Sequence, residues 1–507
     1  MIPACRQNGP VDRSNGAHAN GSISGSATAG ADFLQLDIGQ APPGGRTDWL
    51  AARLRQAITD GRLPVGSRLP ATRVLAAELR VSRGVVTEAY RRLGEDGQIA
   101  GRGRGGTIVV AAPLTAPAPP TPNHPAVGAR SPFPATPGTD AFDVLRTAPA
   151  RIDLSPGLPD VAAFPRAAWL RAERAVLAGL TPCAFGYADP RGAVELRRAV
   201  ADRLARYRGF RAGPDQVLIT AGTAQALGLL AQALSADGIR QVAVEDPGSM
   251  GARQHLAHWG MDTPPVAVDE QGVDVAALRA CGAPAVLLTP AHQFPSGVVL
   301  GGERRRALLG WAAEGGLVIE DDYDAEHRYD RPPVPALRSM LAERVCYTGS
   351  VSKLLAPALR TGWLLVPSAH RDAVIEAKRC TDLGNAALPQ LVLAHLMESG
   401  ELERQSRLLR RRHRARRDAM VRAVAKSLPG AVVQGAAAGL HLTVTFAAGF
   451  CDTELAAAAL ERGVKVQPLS WHRQRPGPPG LVLGYAATPS TAITEGVAHI
   501  GRALRAL

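Results

Sequence analysis

The sequence predicts two unlike domains: a small helical domain that ends in a β hairpin, and a large α/β domain built on a mostly parallel sheet. Three observations predict this division. Residues 46–110 carry helical apolar patterns followed by a Gly-rich pair of strands. Residues 113–137 contain nine prolines in 25 positions, and residues 150–507 alternate β-rich apolar runs with helical patterns. A chain of 507 residues is long enough for two to four domains.

The first 43 residues are predicted to be a disordered, polar tail. They lack the apolar segment of a secretory signal, and no run in the chain approaches the roughly 20 apolar residues of a membrane span. The six cysteines are scattered without a CxxC pair, and the histidines form no metal-binding pattern. These features predict a cytoplasmic protein with reduced thiols, no membrane association and no bound metal.

Residues 44–112 form the small domain and carry the signals of three helices. Leu50 and Leu54 lie on one face of the first helix, and a second helix runs from about Thr72 to Arg80. Ser82 is a good N-cap for the third helix. The segment "EDGQIAGRGRGGTIVV" then predicts two strands around a glycine-rich tip, which form a wing.

Helix, turn, helix and wing is a geometry that docks on DNA, with the third helix entering the major groove by its N-terminal end. The block from 46 to 110 holds 12 arginines and six acidic residues, so it carries a strong positive charge. A helical bundle with solvated arginines is the alternative, and the order of the elements favours DNA binding over it. The predicted contacts to double-stranded promoter DNA are Arg73, Ser82, Arg83, Thr87, Gly103 and Arg104.

This block resembles the winged helix-turn-helix domain of the GntR family. The resemblance is carried by "GRLPVGSRLPATRVLAAELRVSRGVVTEAYRRLGEDGQI" and by the "GRGRGGT" wing, and it covers the whole block. It implies operator recognition, with the same six residues at positions that contact DNA in relatives.

Residues 113–149 are predicted to be a Pro-rich, semi-rigid linker, and residues 150–507 to be the large domain. Six apolar runs of the large domain predict neighbouring strands, and ligands of such sheets bind beyond the carboxyl ends of the strands. The runs are residues 216–220, 241–246, 285–290, 316–322, 345–350 and 362–367.

Lysine is rare in this chain, because only four of its 58 basic residues are lysines. One of them, Lys353, follows a predicted strand and lies between Ser350 and Ser352. A primary amine can form a Schiff base, whereas the guanidinium of arginine cannot act as the nucleophile. The retained lysine is therefore a candidate for that chemistry, and a surface lysine is the alternative.

Other strand ends supply what pyridoxal phosphate (PLP) needs. Residues 222–224 form a strand-to-helix corner whose free N–H groups suit a phosphate. We predict that PLP forms a Schiff base with Lys353, that Asp321 holds its pyridinium nitrogen, and that Tyr323 donates to its phenolic oxygen. The predicted cofactor site is Gly222, Thr223, Ala224, Asp321, Tyr323, Ser350, Ser352, Lys353 and Arg360.

Over nearly all of residues 150–507 the chain resembles a fold-type I aminotransferase, which implies a smaller C-terminal α+β subdomain as well. Supporting segments include "IDLSPGLPDVAAFPRAAW", "EDPGSMGAR", "TPAHQFPSG" and "AAGLHLTV". In relatives the tyrosine equivalent to Tyr187 reaches the phosphate of the neighbouring subunit, which implies a homodimer. A GntR reader joined through a linker to such a domain is the arrangement of the MocR/GabR family of bacterial transcription regulators.

Three positions depart from the aminotransferase pattern. Relatives commonly have a ring-stacking tyrosine where this chain has Ser249, and many have a carboxylate-binding arginine near the position of Leu481. The asparagine of the usual "NPTG" is Phe294 here. A site with the cofactor anchors and without the carboxylate clamp is poorly equipped for amino-acid turnover, although a residual half-transamination is compatible with it.

The favoured hypothesis is therefore a transcription regulator that binds promoter DNA and PLP, and that senses PLP or an amine or amino-acid effector. A working PLP-dependent aminotransferase with an accessory DNA-binding domain is the first alternative. A DNA-binding protein whose large domain has lost the cofactor and serves only for dimerisation is the second.

Overall fold

The chain folds into two compact units, residues 1–113 and 114–507, each with its own apolar core. No helix within the described ranges is both long enough and apolar enough to cross a lipid bilayer. The computed structural model describes residues 34, 36–42, 44–103, 106–111, 132–324, 326–329, 334–447 and 449–507.

The first unit is a helical core closed by a three-stranded antiparallel sheet of order β1-β3-β2. Apolar residues at helical spacing, among them Leu50, Leu54 and Leu93, face one another in this core. Leu34, which the predicted boundary placed in the tail, is 2% exposed in the same core, because an apolar side chain gains by burial there. The elements are α1 (Arg46–Thr59), β1 (Arg68–Leu69), α2 (Thr72–Glu78), α3 (Arg83–Glu95), β2 (Ile99–Gly101) and β3 (Thr107–Val109).

A helix, α4 (Ala141–Thr147), lies inside the range predicted as linker. Ala141 and Leu145 of this helix and Phe133 before it are almost fully buried in the core of the second unit. Apolar residues four apart on a helix share one face, so this short segment packs although prolines surround it. The strand β4 (Ile152–Asp153) follows.

The main sheet of the second unit has eight strands in the order β5-β12-β11-β10-β9-β6-β7-β8. The run from β11 to β7 is parallel, and β12, β5 and β8 are antiparallel to their neighbours, which confirms the predicted α/β class with a mostly parallel sheet. The strands are β5 (Leu218–Thr220), β6 (Val242–Asp246), β7 (Pro265–Asp269), β8 (Gly272–Val273), β9 (Ala285–Leu288), β10 (Leu317–Asp322), β11 (Val345–Ser350) and β12 (Gly362–Leu365).

The six predicted strands all lie in this sheet, and β7 and β8 were not predicted. The centres of the six predicted strands are fully buried apolar runs, as expected for strands covered on both faces. The helices of this part are α5 (Arg166–Gly179), α6 (Val194–Arg208), α7 (Thr223–Ala236), α8 (Met250–His258), α9 (Val275–Cys281), α10 (Gly302–Ala313), α11 (Ser368–Asp382) and α12 (Ala387–Glu398).

The C-terminal part is the smaller α+β subdomain that the resemblance implied. Its antiparallel sheet has the order β13-β14-β17-β16, and β15 pairs in parallel with β4. The elements are α13 (Glu401–Ser427), β13 (Val432–Gln434), β14 (His441–Thr445), α14 (Asp452–Glu461), β15 (Val464–Lys465), β16 (Gln467–Pro468), β17 (Gly480–Gly484) and α15 (Ser490–Leu504).

Candidate functional site

A cavity of about 500 Å³ opens at the carboxyl ends of β10 and β11. Gly222, the N-cap of α7, precedes the lining residue Thr223 and does not itself line the cavity. Tyr187 does not line it, and the side chain of this residue is 97% exposed in the single chain. The predicted cofactor residues that line the cavity together are Thr223, Ala224, Asp321, Tyr323, Ser350, Ser352, Lys353 and Arg360.

The corner between β5 and α7 is shaped to receive an anion. Gly222 has φ = 88°, and a Cβ atom there would lie 3.4 Å from both terminal nitrogens of Arg360. Arg360 itself has a left-handed backbone (φ = 44°) and donates a hydrogen bond to the carbonyl of Ala221. The free N–H groups at the start of a 14-residue helix therefore meet a guanidinium, which is the pairing that binds phosphate.

Asp321 offers the cavity a carboxylate oxygen, Oδ1, that has no hydrogen-bond partner among the described residues. The pKa of Asp321 is raised to about 7, chiefly by burial and then by the negative charges of Asp322 and Asp324, while Lys353 and the Thr223 hydroxyl act in the opposite direction. A cationic ring nitrogen would remove this cost, because an opposite charge restores the ionised form.

The neighbouring Asp322 has a different role. Its carboxylate forms an ion pair with Arg208 and accepts a hydrogen bond from the Tyr347 hydroxyl. Successive residues of a strand point to opposite faces, so only one of the two adjacent carboxylates reaches the cavity. Asp321, the residue predicted to hold the ring nitrogen, lines the cavity, and Asp322 does not.

Lys353 lies in the turn after β11, and its Nζ atom donates a hydrogen bond to the carbonyl of Gly157. A Cβ atom at Gly157, which has φ = 78°, would lie 3.1 Å from that amine, so glycine leaves room for it. Burial lowers the pKa of Lys353, and the charges of Asp324 and Asp321 partly offset this effect. A larger fraction of the amine is therefore unprotonated and nucleophilic at neutral pH than for an exposed lysine.

Tyr323 is held in place by two residues that the sequence analysis missed. Its hydroxyl donates to the His292 carbonyl at 3.1 Å and lies 3.0 Å from His292 Nδ1. His292 Nδ1 is in turn 2.9 Å from the Asp324 carboxylate. Burial raises the pKa of Tyr323, so the hydroxyl stays protonated and able to donate. The position of Asp324, three residues after Asp321, was the available signal.

These residues fit PLP, because an amine, an unpartnered carboxylate oxygen and an anion corner face one cavity. When bound, the cofactor would supply an electron-withdrawing ring that stabilises negative charge beside an attached amine. Lys353 would hold its aldehyde carbon, Asp321 its ring nitrogen, and Arg360 with the start of α7 its phosphate.

The three departures from the aminotransferase pattern have structural counterparts. Ser249 caps α8, since its Oγ accepts from the Ala252 amide at 3.2 Å. Phe294 packs between two histidine rings, with centroids 4.9 Å from His441 and 5.0 Å from His472. Leu481 is fully buried in the apolar core, so it offers the cavity no cation.

The lining of the cavity also contains two cations that were not predicted, and we call the part of the lining that they form the far end. Arg146 of α4 and Lys465 of β15 both line it. Lys465 is 5% exposed, and its Nζ donates to the Arg146 carbonyl at 3.3 Å and lies 3.7 Å from an Asp153 carboxylate oxygen. Because Lys465 is one of only four lysines, its rarity was a signal as strong as that of Lys353.

In the first unit, the predicted DNA-contacting residues Arg73, Ser82, Arg83, Thr87 and Gly103 are all exposed. Arg104 lies outside the described residues. The Ser82 hydroxyl makes no capping hydrogen bond with any described group of α3, and Arg83 Nε lies 3.4 Å from the Thr72 hydroxyl. A surface with these donors at the start of α3 suits a phosphate backbone.

The arginines at the other end of α3 are already paired. Arg91 binds Glu88 and Glu95, and Arg92 binds Glu88 and Asp48. The ion pairs lower the pKa of Glu88 to about 2. The cationic groups available to a polyanion are therefore concentrated at the N-terminal end of the helix, which is the end that a helix-turn-helix inserts into DNA.

Comparison with known proteins identifies both units. Residues 47–109 match the family of bacterial regulatory proteins called gntR, and residues 151–500 match aminotransferase class I and II. The rhizopine catabolism regulatory protein MocR of Rhizobium meliloti, described as probable, is 31% identical over 90% of this chain and 93% of its own length. The chain belongs to the MocR family of transcription regulators.

Two further relatives and one solved structure agree with this assignment. The pyridoxine biosynthesis transcriptional regulator PdxR of Corynebacterium glutamicum is 31% identical over 90% of this chain and 95% of its own length. The regulator TauR of Rhodobacter capsulatus is 34% identical over 91% of this chain and 98% of its own length. LysN of Thermus thermophilus, an α-aminoadipate aminotransferase solved with N-(5′-phosphopyridoxyl)-L-leucine, is 28% identical with a TM-score of 0.64, covering 73% of this chain and 95% of LysN. This MocR-family member is thus a DNA-binding regulator with an aminotransferase-like domain.

Proposed function

We propose that this regulator binds PLP covalently at Lys353, and that occupancy of the cavity controls its binding to promoter DNA in the cytoplasm. The observation that carries the proposal is the meeting of an amine, an unpartnered carboxylate oxygen and an anion corner in one cavity. A ligand can change DNA affinity only if it binds two arrangements of the protein with different affinities. PLP, alone or with an amine or amino acid, is the proposed signal.

The test is a titration of wild-type protein and Lys353→Ala with PLP, followed by visible absorbance. The wild type gains the band of covalently held PLP, and the variant does not, because alanine has no amine. Lys426→Ala removes an exposed lysine of α13 and behaves like the wild type. A band of equal size in Lys353→Ala contradicts the proposal, and so does a wild type that gains none.

The DNA part is tested with Arg83→Ala and a fragment from upstream of the coding sequence. We expect affinity to fall about tenfold at moderate salt, because a contact at the start of α3 is lost. Arg62→Ala removes the same charge elsewhere in the unit, where Arg62 pairs with Asp60, and changes affinity less. Equal affinities of Arg83→Ala and wild type contradict the predicted interface. Repeating the wild-type measurement with PLP tests the coupling.

We propose an amino acid as the preferred effector, with its carboxylate at the far end of the cavity. Lys465 and Arg146 are the cations that line the cavity there. Because Asp153 and Asp143 already pair with these cations, we expect them to bind the carboxylate weakly. Weak binding suits reversible sensing better than turnover. Amino-acid binding without sustained conversion of a keto acid supports this view, and steady turnover supports the aminotransferase alternative.

We also propose a homodimer in which Tyr187 completes the phosphate site of the partner. A tyrosine that is 97% exposed has its aromatic ring in water unless another surface covers it. Sedimentation equilibrium tests the dimer. Tyr187→Phe tests the contact, because it removes only the hydroxyl and should weaken PLP binding several-fold.

A further inference from the structure

The wall of the cavity above Ser249 contains an aromatic side chain that no sequence pattern indicated. We propose that Phe142, on α4, contacts the face of the PLP ring and takes the place of the tyrosine that is missing at position 249. This inference rests on the proposed function, since it requires PLP to bind in this cavity. It makes α4, which lies inside the range predicted as linker, part of the ligand site.

The face of α4 toward the cavity is formed by Phe142, Leu145 and Arg146, which are three and four positions apart and therefore share one side of the helix. A side-chain carbon built at Gly251 would lie 3.5 Å from the Phe142 ring and 4.0 Å from Ser249 Oγ. The Phe142 ring and the Ser249 hydroxyl thus both lie next to Gly251. Phe142 therefore lies next to Ser249, the position at which relatives carry the tyrosine.

Small residues leave this space open. Ser249, Gly251 and Ala252 line the cavity here, and the Ser249 hydroxyl is occupied in capping α8. Phe294 also lines the cavity, where its ring packs against His441, His472 and Tyr323. His255 of α8 is the other aromatic residue lining this region, so it is the competing candidate for the ring contact.

Phe142 is held firmly enough to serve as a platform. Its ring packs edge to face on Trp471, with centroids 6.4 Å apart and planes at 80°. The segment before it is tied down by hydrogen bonds from Gln254 to the Gly138 carbonyl and from Trp471 to the Pro134 carbonyl, both 3.0 Å. A fixed aromatic ring can stack on a ligand ring with little loss of side-chain entropy.

The test is the affinity of the full-length protein for PLP, measured by visible absorbance. Phe142→Leu keeps apolar packing and removes the aromatic ring, and we expect about tenfold weaker binding, the size of a stacking contact. Phe142→Tyr retains wild-type affinity. Phe450→Leu, at a half-buried phenylalanine that packs on Phe446 outside the cavity, is the control and leaves affinity unchanged. An unchanged affinity of Phe142→Leu overturns the inference, and a loss in His255→Ala alone assigns the contact to His255.

The Ser249→Tyr substitution gives an independent readout. In the Phe142→Leu background the new tyrosine recovers most of the lost affinity, because it supplies the ring contact from the usual position. A purely structural role of Phe142 predicts no recovery, and that result overturns the inference.

Hydrogen exchange separates this inference from the proposed function. We expect the amides of residues 138–148 to exchange more slowly when PLP is added to the wild type, and not when it is added to Lys353→Ala. If the visible band forms and these amides do not respond, the contact with α4 is refuted while PLP binding stands. If no band forms, the proposed function fails first.

Discussion

The two ends of the large cavity differ in how far their charges are already compensated. At the end under β10 and β11, Asp321 has an unpartnered oxygen and Arg360 makes no ion pair with a described residue. At the far end, Lys465 lies 3.7 Å from the Asp153 carboxylate, and Arg146 lies 2.8 Å from that of Asp143. A charged ligand that binds beside Asp321 and Arg360 therefore forms new interactions without breaking existing ion pairs.

A ligand at the second end must compete with ion pairs that already exist. This competition lowers the net affinity for the ligand, because its attraction to the two cations partly replaces their attraction to Asp153 and Asp143. The difference therefore predicts a tightly held cofactor and a weakly held, exchangeable effector. A regulator needs both, since the cofactor prepares the site and the effector must leave when its concentration falls.

The largest expected effect comes from the uncompensated end. Arg360→Ala should weaken PLP binding about 100-fold, because hydrogen bonds to a charged group are worth about 1.5–3 kcal/mol. Arg360→Lys keeps the charge and loses the planar fork, so its loss should be smaller. Absorbance titration measures both. Arg306→Ala removes an exposed arginine of α10 as the control. A ranking in which the Lys variant is weaker than the Ala variant would refute the phosphate role.

A second effect concerns stability without cofactor. The pKa of Asp321 is raised to about 7, above the value of about 3.9 in an unfolded chain. A raised pKa means that the folded state holds the proton more tightly, so the contribution of Asp321 to stability is fully present below about pH 4 and is lost as the pH rises through about 7. The Asp321→Asn variant has no ionisable group at this position, so its stability does not fall in this pH range for this reason.

Urea unfolding of PLP-free protein measures the difference. At pH 8 we expect Asp321→Asn to be about 2 kcal/mol more stable than the wild type, a reduced figure because the side chain lines an open cavity where water screens it. Near pH 4 the two should be equal. If the difference in unfolding free energy between the two proteins is the same at pH 4 and pH 8, then ionisation of Asp321 does not destabilise the folded protein. Added PLP should reverse the order at pH 8, because the ring nitrogen then compensates Asp321.

The compensated and uncompensated ends also differ in how far the sequence could predict them. Asp321 and Ser350 lie at the carboxyl ends of β10 and β11, and Lys353 follows β11. Parallel strands bring their carboxyl ends together, so local patterns were enough to predict this end. Gly222 could be placed in the same way, because a glycine before a helix marks a corner. The sequence prediction named Asp321, and the alternation of side chains along β10 explains why Asp322 pairs with Arg208 instead of lining the cavity.

The far end could not be assembled from local patterns. Arg146 and Lys465 are 319 positions apart and meet because β15 pairs with β4. Both strands have only two residues, too few for a periodic signal. The helix that carries Arg146 and Phe142 was assigned to the linker because prolines dominate the segment before it.

The smallest expected effect tests whether the far end binds a carboxylate at all. Lys465→Met keeps the length of the side chain and removes its charge, so Asp153 loses its partner and repels an anionic ligand. We expect the variant to bind amino acids about fivefold to tenfold more weakly than the wild type, the effect of about 1 kcal/mol in a partly compensated pair. Amines without a carboxylate should bind both proteins equally, since they do not reach this contact.

The measurement is the change in visible absorbance of PLP-loaded protein titrated with a panel of amino acids, each beside its decarboxylated amine. The difference between the two ligands of a pair isolates the carboxylate, and Lys426→Met controls for the loss of a lysine in general. Equal losses for amino acid and amine would mean that Lys465 supports the cavity without recognising the effector. A wild type that does not prefer amino acids to their amines would contradict the amino-acid effector itself. The cations of the far end would then serve to hold α4 against β15, through the bond from Lys465 to the Arg146 carbonyl.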